Sequence, residues 1–274
     1  MSALASNLES ANNTEVNATD LEQRVKDMYR DVAQNPEGDF HFEMGREMAS
    51  RLGYPKYHLD NIPAGAINSF AGVGYYFHLA NLKPGEKIVD LGSGSGMDTF
   101  YAAIDVGQEG EVVGVDMTDE QLHKSNVLRQ QSGYQNIKYL KGYIQSAPCE
   151  DESFDAVISN GVINLAPNKN KVFKEAYRLL KHGGRLALSD IVTDVHLPSD
   201  ITCDATLWAA CIGGALQTDD YLEAIRSAGF IIEAVEDNPG YHFISDNAQW
   251  ATKTFGVKSI SVLARKADGI FSAV

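Results

Sequence analysis

Cysteine is scarce in this sequence of 274 residues, which has only Cys149, Cys203 and Cys211. No C-x-x-C pair occurs, and the seven histidines are scattered without the spacing of a zinc site. The sequence therefore predicts neither a disulfide framework nor a metal site. Because unpaired cysteines are typical of reducing compartments, we predict a cytoplasmic protein.

Basic residues and long apolar runs are also scarce. The chain has 23 Lys and Arg against 37 Asp and Glu, a net charge of −14. Surfaces that bind nucleic acid or anionic membranes are basic, so we predict neither partner. The longest apolar run, at 207–216, contains two glycines and has about half of the ~20 residues that a membrane span needs. The N-terminus lacks the basic and apolar regions of a secretory signal.

The first 84 residues show no alternation of strand and helix patterns. Residues 1–20 are rich in Ala, Ser and Asn and are predicted to be a disordered tail. From residue 21 to about residue 54, apolar side chains recur at helical spacing. The segment 69–79, SFAGVGYYFHL, is rich in glycine and aromatic residues and has no clear period. We predict that residues 21–84 form a helical cap.

From residue 85 to residue 274 the patterns alternate, which predicts an α/β domain around a mostly parallel sheet. Five buried strands are predicted, at 87–91, 111–116, 137–141, 154–159 and 185–191. Helices are predicted at 98–105, 118–133, 168–181, near 200–215 and at 218–228. Two closing strands, near 230–236 and 259–266, have no convincing helix between them, and we expect them to pair antiparallel. Thr118 is the predicted N-cap of its helix.

The segment KIVDLGSGSGMD (87–98) is a buried strand that leads through a glycine-rich turn into a helix. Gly92 and Gly94 permit unusual dihedral angles and a close approach of the backbone to a ligand. The helix that follows presents free N–H groups at its N-terminus. The pattern fits a nucleotide-like ligand and equally a tight turn without a ligand, because glycines alone are a weak signal.

Neighbouring residues indicate which kind of ligand would bind at this turn. Asp116 ends the second strand, where an acid can bind both hydroxyls of a ribose. The turn is G-x-G-x-G, closed by Gly96, and Met97 stands where a dinucleotide fingerprint needs Gly or Ala. Asp90 would repel a pyrophosphate and would suit a cation. These residues predict a nucleoside that carries a positively charged amino-acid end, which is S-adenosylmethionine (SAM).

On these motifs the chain from about 85 to 267 resembles the class I SAM-dependent methyltransferases. GVDMT (114–118) resembles their ribose-binding strand end, GYIQSAP (142–148) the adenine-side loop, and ISNGVINL (158–165) the strand end that faces the methyl group. The resemblance implies a Rossmann-like fold with a seven-stranded, mostly parallel sheet and an antiparallel C-terminal strand. It also implies SAM as cofactor and S-adenosylhomocysteine as product. The implied cofactor residues are Asp90, Gly92, Ser93, Gly94 and Gly96 at the methionine end, Asp116 at the ribose, Met117, Tyr143 and Ile144 at the adenine, and Asn160 at the sulfonium.

A closer resemblance links residues 22–230 with the arsenite methyltransferases. Those enzymes read S-N-C-V-I-N-L at the fourth strand and carry a second cysteine fifty residues later, and the two thiolates hold trivalent arsenic. Here Cys211 matches the second cysteine, whereas position 161 is Gly. Soft thiolates select arsenic(III), and one cysteine is a poor chelator. The resemblance therefore implies a methyl acceptor other than inorganic arsenite.

Three hypotheses remain open. The first is a methyltransferase for a small-molecule S-, N- or C-nucleophile, with Gly161 leaving room for a bulky acceptor. The second is an arsenic enzyme restricted to a partly methylated arsenical, and the third is a dinucleotide oxidoreductase or a SAM-binding module without turnover. Candidate substrate-site residues are Asn160, Gly161, Cys211 and Tyr29, with Phe70 and Tyr76 as further walls. Each site residue also has an ordinary structural explanation. Core packing would explain Met117, Ile144, Tyr29 and Cys211, and a turn after the strand would explain Asn160-Gly161.

Overall fold

The computed structural model describes residues 18–198 and 212–267. It contains one sheet with the strand order β3-β2-β1-β4-β5-β8-β7. The strands are β1 (Lys87–Leu91), β2 (Glu111–Asp116), β3 (Ile137–Lys141), β4 (Phe154–Asn160), β5 (Leu180–Thr193), β7 (Phe230–Asp237) and β8 (Lys258–Lys266), and the two-residue β6 (Leu216–Gln217) pairs with β5. Strands β1 to β5 are parallel, and β8 runs antiparallel to both β5 and β7. The predicted Rossmann-like sheet with an antiparallel C-terminal strand is confirmed.

The central strands are apolar on both faces because helices cover both sides of the sheet. Along β1, Ile88 packs into the cluster beneath the N-terminal helices, whereas Val89 and Leu91 pack into the opposite cluster. The helices are α1 (Ala18–Gln34), α2 (Arg46–Leu52), α3 (Lys56–Asn61), α4 (Ala64–Asn68), α5 (Phe77–Ala80), α6 (Met97–Val106), α7 (Asp119–Ser132), α8 (Lys169–Leu179), α9 (Thr218–Ser227) and α10 (Asp246–Phe255). No helix in the described part of the chain is long and apolar enough to cross a bilayer.

The N-terminal helices share a hydrophobic core with one face of the sheet rather than forming a separate core. Helix α1 packs against α7, and Lys124 donates to the carbonyl of Ala33 and to Ser69 Oγ. Residues 69–77, which we call the strap, cross the ends of β4, β5 and β8. Val73 N donates to Asn160 Oδ1 at 2.8 Å, and Ser259 Oγ donates to the Val73 carbonyl at 2.7 Å. The strap is thus tied to two strands of the sheet, β4 and β8.

Several predicted boundaries were wrong. Helix α1 already begins at Ala18, and within the predicted helical stretch 21–54 the residues from 35 to 45 are not helical. The glycines at 183 and 184 do not end α8; they form an irregularity inside β5, where the pairing with β4 shifts between Phe154 and Ala156. A helix, α10, does connect the two closing strands, although they pair antiparallel as predicted.

The predicted helix near 200–215 lies largely outside the described residues. Residues 212–215, which are described, form a bend and turn rather than a helix. The predicted tail at 1–20 also falls mostly outside the described part of the chain. The division into a cap at 21–84 and a domain at 85–274 stays a prediction.

Candidate active site

One cleft lies at the carboxyl ends of β1, β2 and β4, where open parallel sheets bind their ligands. It has about 1100 Å³ of free space, part of which is open to solvent. Such a space accommodates a nucleoside-sized ligand. Its lining combines the glycine turn and its flanking acids with α1, the strap and the loops after β2, β3 and β4.

The glycine turn is shaped by close packing as well as by its dihedral angles. Gly92, Gly94 and Gly96 all have positive φ, at 82°, 50° and 98°. A Cβ at Gly92 would come within 2.5 Å of Val162, and a Cβ at Gly96 would collide with the hydroxyl of Tyr139. Only glycine therefore lets the turn fit between these two side chains. Gly92, Ser93 and Gly94 line the cleft, whereas the predicted Gly96 does not and packs against Tyr139 instead.

Asp116 organises the turn from the end of β2. Its Oδ2 accepts from Gly94 N at 2.9 Å and its Oδ1 accepts from Thr118 N at 2.8 Å. Burial raises the pKa of this carboxyl, and the backbone N–H donors act in the opposite direction. Thr118 is the N-cap residue of α7 as predicted, although its side chain makes no capping hydrogen bond. Asp116 lines the cleft, where its remaining acceptor capacity can serve a ribose.

Two further carboxylates are buried beside the glycine turn, where the methionine end of the cofactor is predicted. Asp90 is 2% exposed and Asp98, in the first turn of α6, is 5% exposed. Thr99 Oγ1 donates to Asp90 Oδ2 at 2.6 Å. Burial, followed by repulsion from Asp98, raises the pKa of Asp90 well above its usual range. A bound cation would relieve both effects.

The charge of the cleft decides which ligand fits it. Of the described residues that line it, four are acids, Glu22, Asp90, Asp98 and Asp116, and none is Lys, Arg or His. Such a surface repels a pyrophosphate and attracts a cation. Ser93 Oγ is buried in the lining without a hydrogen-bond partner, as expected of a group that meets a ligand. SAM fits these residues because it joins a nucleoside to a cationic amino-acid end.

The predicted adenine residues lie together on the other side of the cleft. Met117, Tyr143 and Ile144 all line it, beside Gly142 and Gln145 of the same loop. Tyr143 is 40% exposed, and its hydroxyl donates to Glu22 Oε1 at 2.8 Å. Lys26 Nζ donates to the same hydroxyl at 3.0 Å. Through these contacts α1 covers the adenine side.

Asn160 ends β4 and lines the cleft, but its side chain is held by the protein. Besides accepting from Val73 N, it donates from Nδ2 to Asp98 Oδ2 at 2.9 Å and to the Gly74 carbonyl at 3.0 Å. Asn160 therefore fixes the position of the strap relative to α6. Its predicted contact with the sulfonium stays a prediction.

Gly161 is buried and does not line the cleft. It has φ of +67°, and a Cβ built on it would lie 3.2 Å from Val73 Cγ1 of the strap. The expectation that Gly161 leaves room for a bulky acceptor is therefore wrong, because Val73 occupies that space. The side chain that faces this glycine is apolar.

The cysteines do not complete a thiolate pair among the described residues. Cys149 is partly buried and packs into the cluster on the face of the sheet that α8 and α9 cover, away from the cleft lining. Cys203 and the candidate Cys211 lie outside the described residues. In the described part of the chain, no group of His, Cys, Asp and Glu could hold a metal ion.

Three aromatic residues were predicted to form walls of the substrate site, and the structure places only two of them in the lining of the cleft. Tyr29 and Phe70 line the cleft. Tyr76 is fully buried behind the lining, and its hydroxyl donates to Asp98 Oδ2 at 2.8 Å. Its role is therefore to support Asp98 rather than to contact a ligand.

The sequence analysis missed several residues of the site. Asp98 is the last residue of the segment KIVDLGSGSGMD and Gln121 lies in the first turn of α7, but neither was predicted as a ligand contact. Gln121 accepts from Ser95 Oγ and donates to the Tyr29 carbonyl at 2.8 Å, so it connects the glycine turn with α1. The other lining residues that were not predicted individually as site residues are Glu22, Val25, Ala66, Ser69, Ala71, Gly72, Ser95, Met97, Thr118, Gly142, Gln145, Val162, Leu165, Ala166 and Pro167.

Fold and cleft together have the architecture of the class I SAM-dependent methyltransferases. The family model for the methyltransferase domain matches residues 82–229, and the chain belongs to this family. Within it, the chain is similar to proteins named arsenite methyltransferase. One from Halobacterium salinarum is 41% identical over 201 residues, 72% of this chain and 51% of the relative. The human protein is 41% identical over 152 residues, 52% of this chain and 40% of the relative.

Solved structures agree with this placement. An arsenic(III) SAM methyltransferase from Chlamydomonas reinhardtii superposes with a TM-score of 0.61 at 29% identity, covering 84% of this chain and 76% of the other. A geranyl diphosphate methyltransferase in complex with sinefungin shares the fold, with a TM-score of 0.65 at 16% identity, covering 90% and 100%. This chain spans about half the length of the curated relatives that it matches.

Proposed function

We propose that the protein transfers the methyl group of SAM to a small molecule that binds against the apolar side of the cleft. The observation that carries the cofactor assignment is that the described lining residues include four acids and no Lys, Arg or His, next to a glycine turn that only glycine can form. Bound SAM supplies a sulfonium methyl group that is already activated for in-line displacement. The protein then acts mainly by holding the two reactants in line.

The acceptor side of the cleft is apolar. Phe70 of the strap faces it together with Val162, Leu165 and Pro167 from the segment after β4. Burial of an apolar acceptor on these side chains removes surface from water and expels water from the transfer site. We infer an acceptor with an apolar body whose S, N or C nucleophile points to Asn160.

Inorganic arsenite is a poor match to this wall. Soft thiolates would be needed to select it, and Val73, an apolar side chain, fills the space before Gly161. We therefore infer an acceptor other than inorganic arsenite. This acceptor would bind beside Phe70 rather than in front of Gly161.

A partly methylated arsenical is the second candidate. The relatives named arsenite methyltransferase, at 38% to 43% identity, favour it. Such an arsenical has one or two methyl groups in place of exchangeable ligands, so it needs fewer thiolates and tolerates an apolar wall. Cys211 would be its single sulfur ligand, which is an expectation from the sequence alone.

Calorimetry tests the cofactor assignment. We expect S-adenosylhomocysteine to bind and NADH to give no heat, because the acidic cleft repels a pyrophosphate. Absence of heat with S-adenosylhomocysteine would contradict the methyltransferase proposal, and binding of NADH would favour the oxidoreductase.

Turnover assays test the acceptor. Purified protein with SAM is incubated with arsenite, with a monomethylated trivalent arsenical, or with a library of apolar thiols, amines and carbon acids, and methylated products are identified by mass spectrometry. We expect products from the organic library. Rapid methylation of arsenite would overturn the exclusion, and methylation of the methylated arsenical alone would favour the second candidate. A Cys211→Ser variant is the matched control, because only the arsenical activities should depend on that sulfur.

A further inference from the structure

Asp98 is a buried carboxylate that ends the segment KIVDLGSGSGMD but is not among the predicted cofactor residues. It lines the cleft from the first turn of α6 and is 5% exposed. Three side-chain donors converge on it. Tyr54 OH donates to Oδ1 at 2.6 Å, and Tyr76 OH and Asn160 Nδ2 donate to Oδ2 at 2.8 and 2.9 Å.

The neighbourhood of Asp98 contains donors but no positive charge. None of the ion pairs between described residues includes Asp98 or Asp90. Burying a carboxylate without a cation is costly. Burial raises the pKa of Asp98, and the hydrogen bonds from Tyr54, Asn160 and Tyr76 counteract that rise. Three hydrogen-bond donors therefore hold the Asp98 carboxylate, although no cationic side chain among the described residues pairs with it.

The hydrogen bonds leave capacity for a further donor. A carboxylate accepts about four hydrogen bonds, two at each oxygen. Oδ2 already has two side-chain donors, whereas Oδ1 has one, from Tyr54. Because Asp98 lines the cleft beside Asp90, a cationic ligand there could donate to Oδ1.

We propose that Asp98 is a second binding carboxylate for the ammonium of the cofactor's amino-acid end, and that Tyr54 and Tyr76 are positioning residues that hold it ionised and oriented. The proposal rests on SAM as the cofactor. Neither tyrosine lines the cleft, so both act through Asp98.

This arrangement links the cofactor to the N-terminal region. Tyr54 follows α2, and Tyr76 belongs to the strap, whereas Asp98 belongs to the helix after the glycine turn. If docked tyrosines strengthen cofactor binding, bound cofactor strengthens the docking of the tyrosines by the same factor. Cofactor binding and formation of the acceptor wall then become a single linked event.

Two ligands distinguish this role from general damage to the cleft. S-adenosylhomocysteine carries the ammonium, whereas 5′-methylthioadenosine has the same nucleoside without the amino-acid end. We expect Asp98→Asn to raise the Kd of S-adenosylhomocysteine by about tenfold or more, as loss of a charge-assisted hydrogen bond requires. The Kd of 5′-methylthioadenosine should change by less than about twofold. Asp105→Asn, on the same helix but outside the cleft lining, is the matched control and should change neither.

A double-mutant cycle tests the positioning role. Tyr54→Phe and Tyr76→Phe should each weaken S-adenosylhomocysteine by about threefold in the wild-type background and should have no further effect in Asp98→Asn. A merely structural role predicts instead that the losses multiply and that both ligands weaken together. Either of those results, or an unchanged affinity of Asp98→Asn for S-adenosylhomocysteine, would overturn the proposal. Failure of the wild-type protein to bind S-adenosylhomocysteine would instead refute the cofactor assignment itself.

Discussion

Gly161 has a backbone conformation that side chains rarely adopt, and it is also packed against a neighbour. Its φ is +67°, and Val73 Cγ1 would lie 3.2 Å from an added Cβ. Gly133 provides a comparison, because its φ is +77° and nothing lies within 4 Å of an added Cβ. The two glycines therefore separate backbone strain from side-chain crowding.

We expect Gly161→Ala to lower the free energy of unfolding by about 2 kcal/mol and Gly133→Ala by about 1 kcal/mol, because only the former adds crowding to strain. Urea denaturation measures both. Adding Val73→Ala to Gly161→Ala should remove the crowding but create a cavity, so the two changes should not be additive. Equal losses in the two single variants would show that Val73 does not press on position 161.

Asp190 gives a pH dependence of stability. It is buried at the end of β5, where Tyr221 OH and Asn164 N donate to its Oδ2. Burial raises its pKa to about 6 in the folded protein. The group is easier to deprotonate when unfolded, so its contribution to stability is complete below about pH 4 and decreases as the pH rises through about 6.

Between about pH 5 and about pH 7 we expect this group to lower the free energy of unfolding by about 1 kcal/mol. Asp190→Asn should remove that part of the slope, whereas Asp219→Asn, at an exposed position of α9, should preserve it. Urea denaturation at several pH values measures the slopes. Parallel slopes for wild type and Asp190→Asn would contradict the assignment.

At the scale of elements, α1 covers the cleft through polar contacts in addition to its buried Val25 and Val32. Arg30 pairs with Glu120, and Gln121 joins the Tyr29 carbonyl to Ser95 of the glycine turn. Polar contacts of this kind can break and re-form at little net cost, because water replaces the lost partners. Helix α1 is therefore suited to open when the cofactor exchanges.

Gln121→Ala should speed the dissociation of S-adenosylhomocysteine by about threefold to tenfold, because it removes the link between α1 and the glycine turn. Stopped-flow displacement measures the rate. Gln135→Ala, in the turn after α7, is the control and should leave it unchanged. If Gln121→Ala lowers the association rate instead, the glutamine shapes the cleft rather than closing it.

Elements with strong periodicity were predictable from the sequence, and elements that depend on distant partners were not. Strands β1 and β2 were predicted to the residue because they are buried on both faces and bounded by glycine or acid. Helix α10 was missed because its buried face consists of Ala248 and Ala251, which give a weak apolar pattern. Its N-cap, Ser245, accepts from Ala248 N and was the available signal.

The site divides in the same way. Asp90 and Asp116 could be predicted as site residues because they lie near the glycine motif in the sequence. Asp98 and Gln121 could not, because their significance comes from Tyr54 and Tyr29, which precede them by 44 and 92 residues. The packing of Val73 against Gly161 could not be predicted either, because the strap has no periodic pattern that indicates where Val73 lies.

At the scale of the whole molecule, the net charge of −14 and the acidic cleft act on a charged cofactor together. SAM carries one positive charge more than S-adenosylhomocysteine. Raising sodium chloride from about 20 mM to about 500 mM screens the field of the surface charges. We expect the Kd of SAM to rise by at least about twofold more than that of S-adenosylhomocysteine, as measured by calorimetry. Parallel changes would show that the sulfonium does not sense the charge of the protein.

The strap also has a consequence for biosynthesis. Its carbonyl at Val73 is held by Ser259, and Gly74 packs against Ser189 and Asn238, so an early segment of the chain is fixed by strands made much later. A ribosome-bound chain that ends before β8 could form the glycine turn but would lack Ser259, the partner of the Val73 carbonyl. The strap would then reach its final position only after β8 has been made.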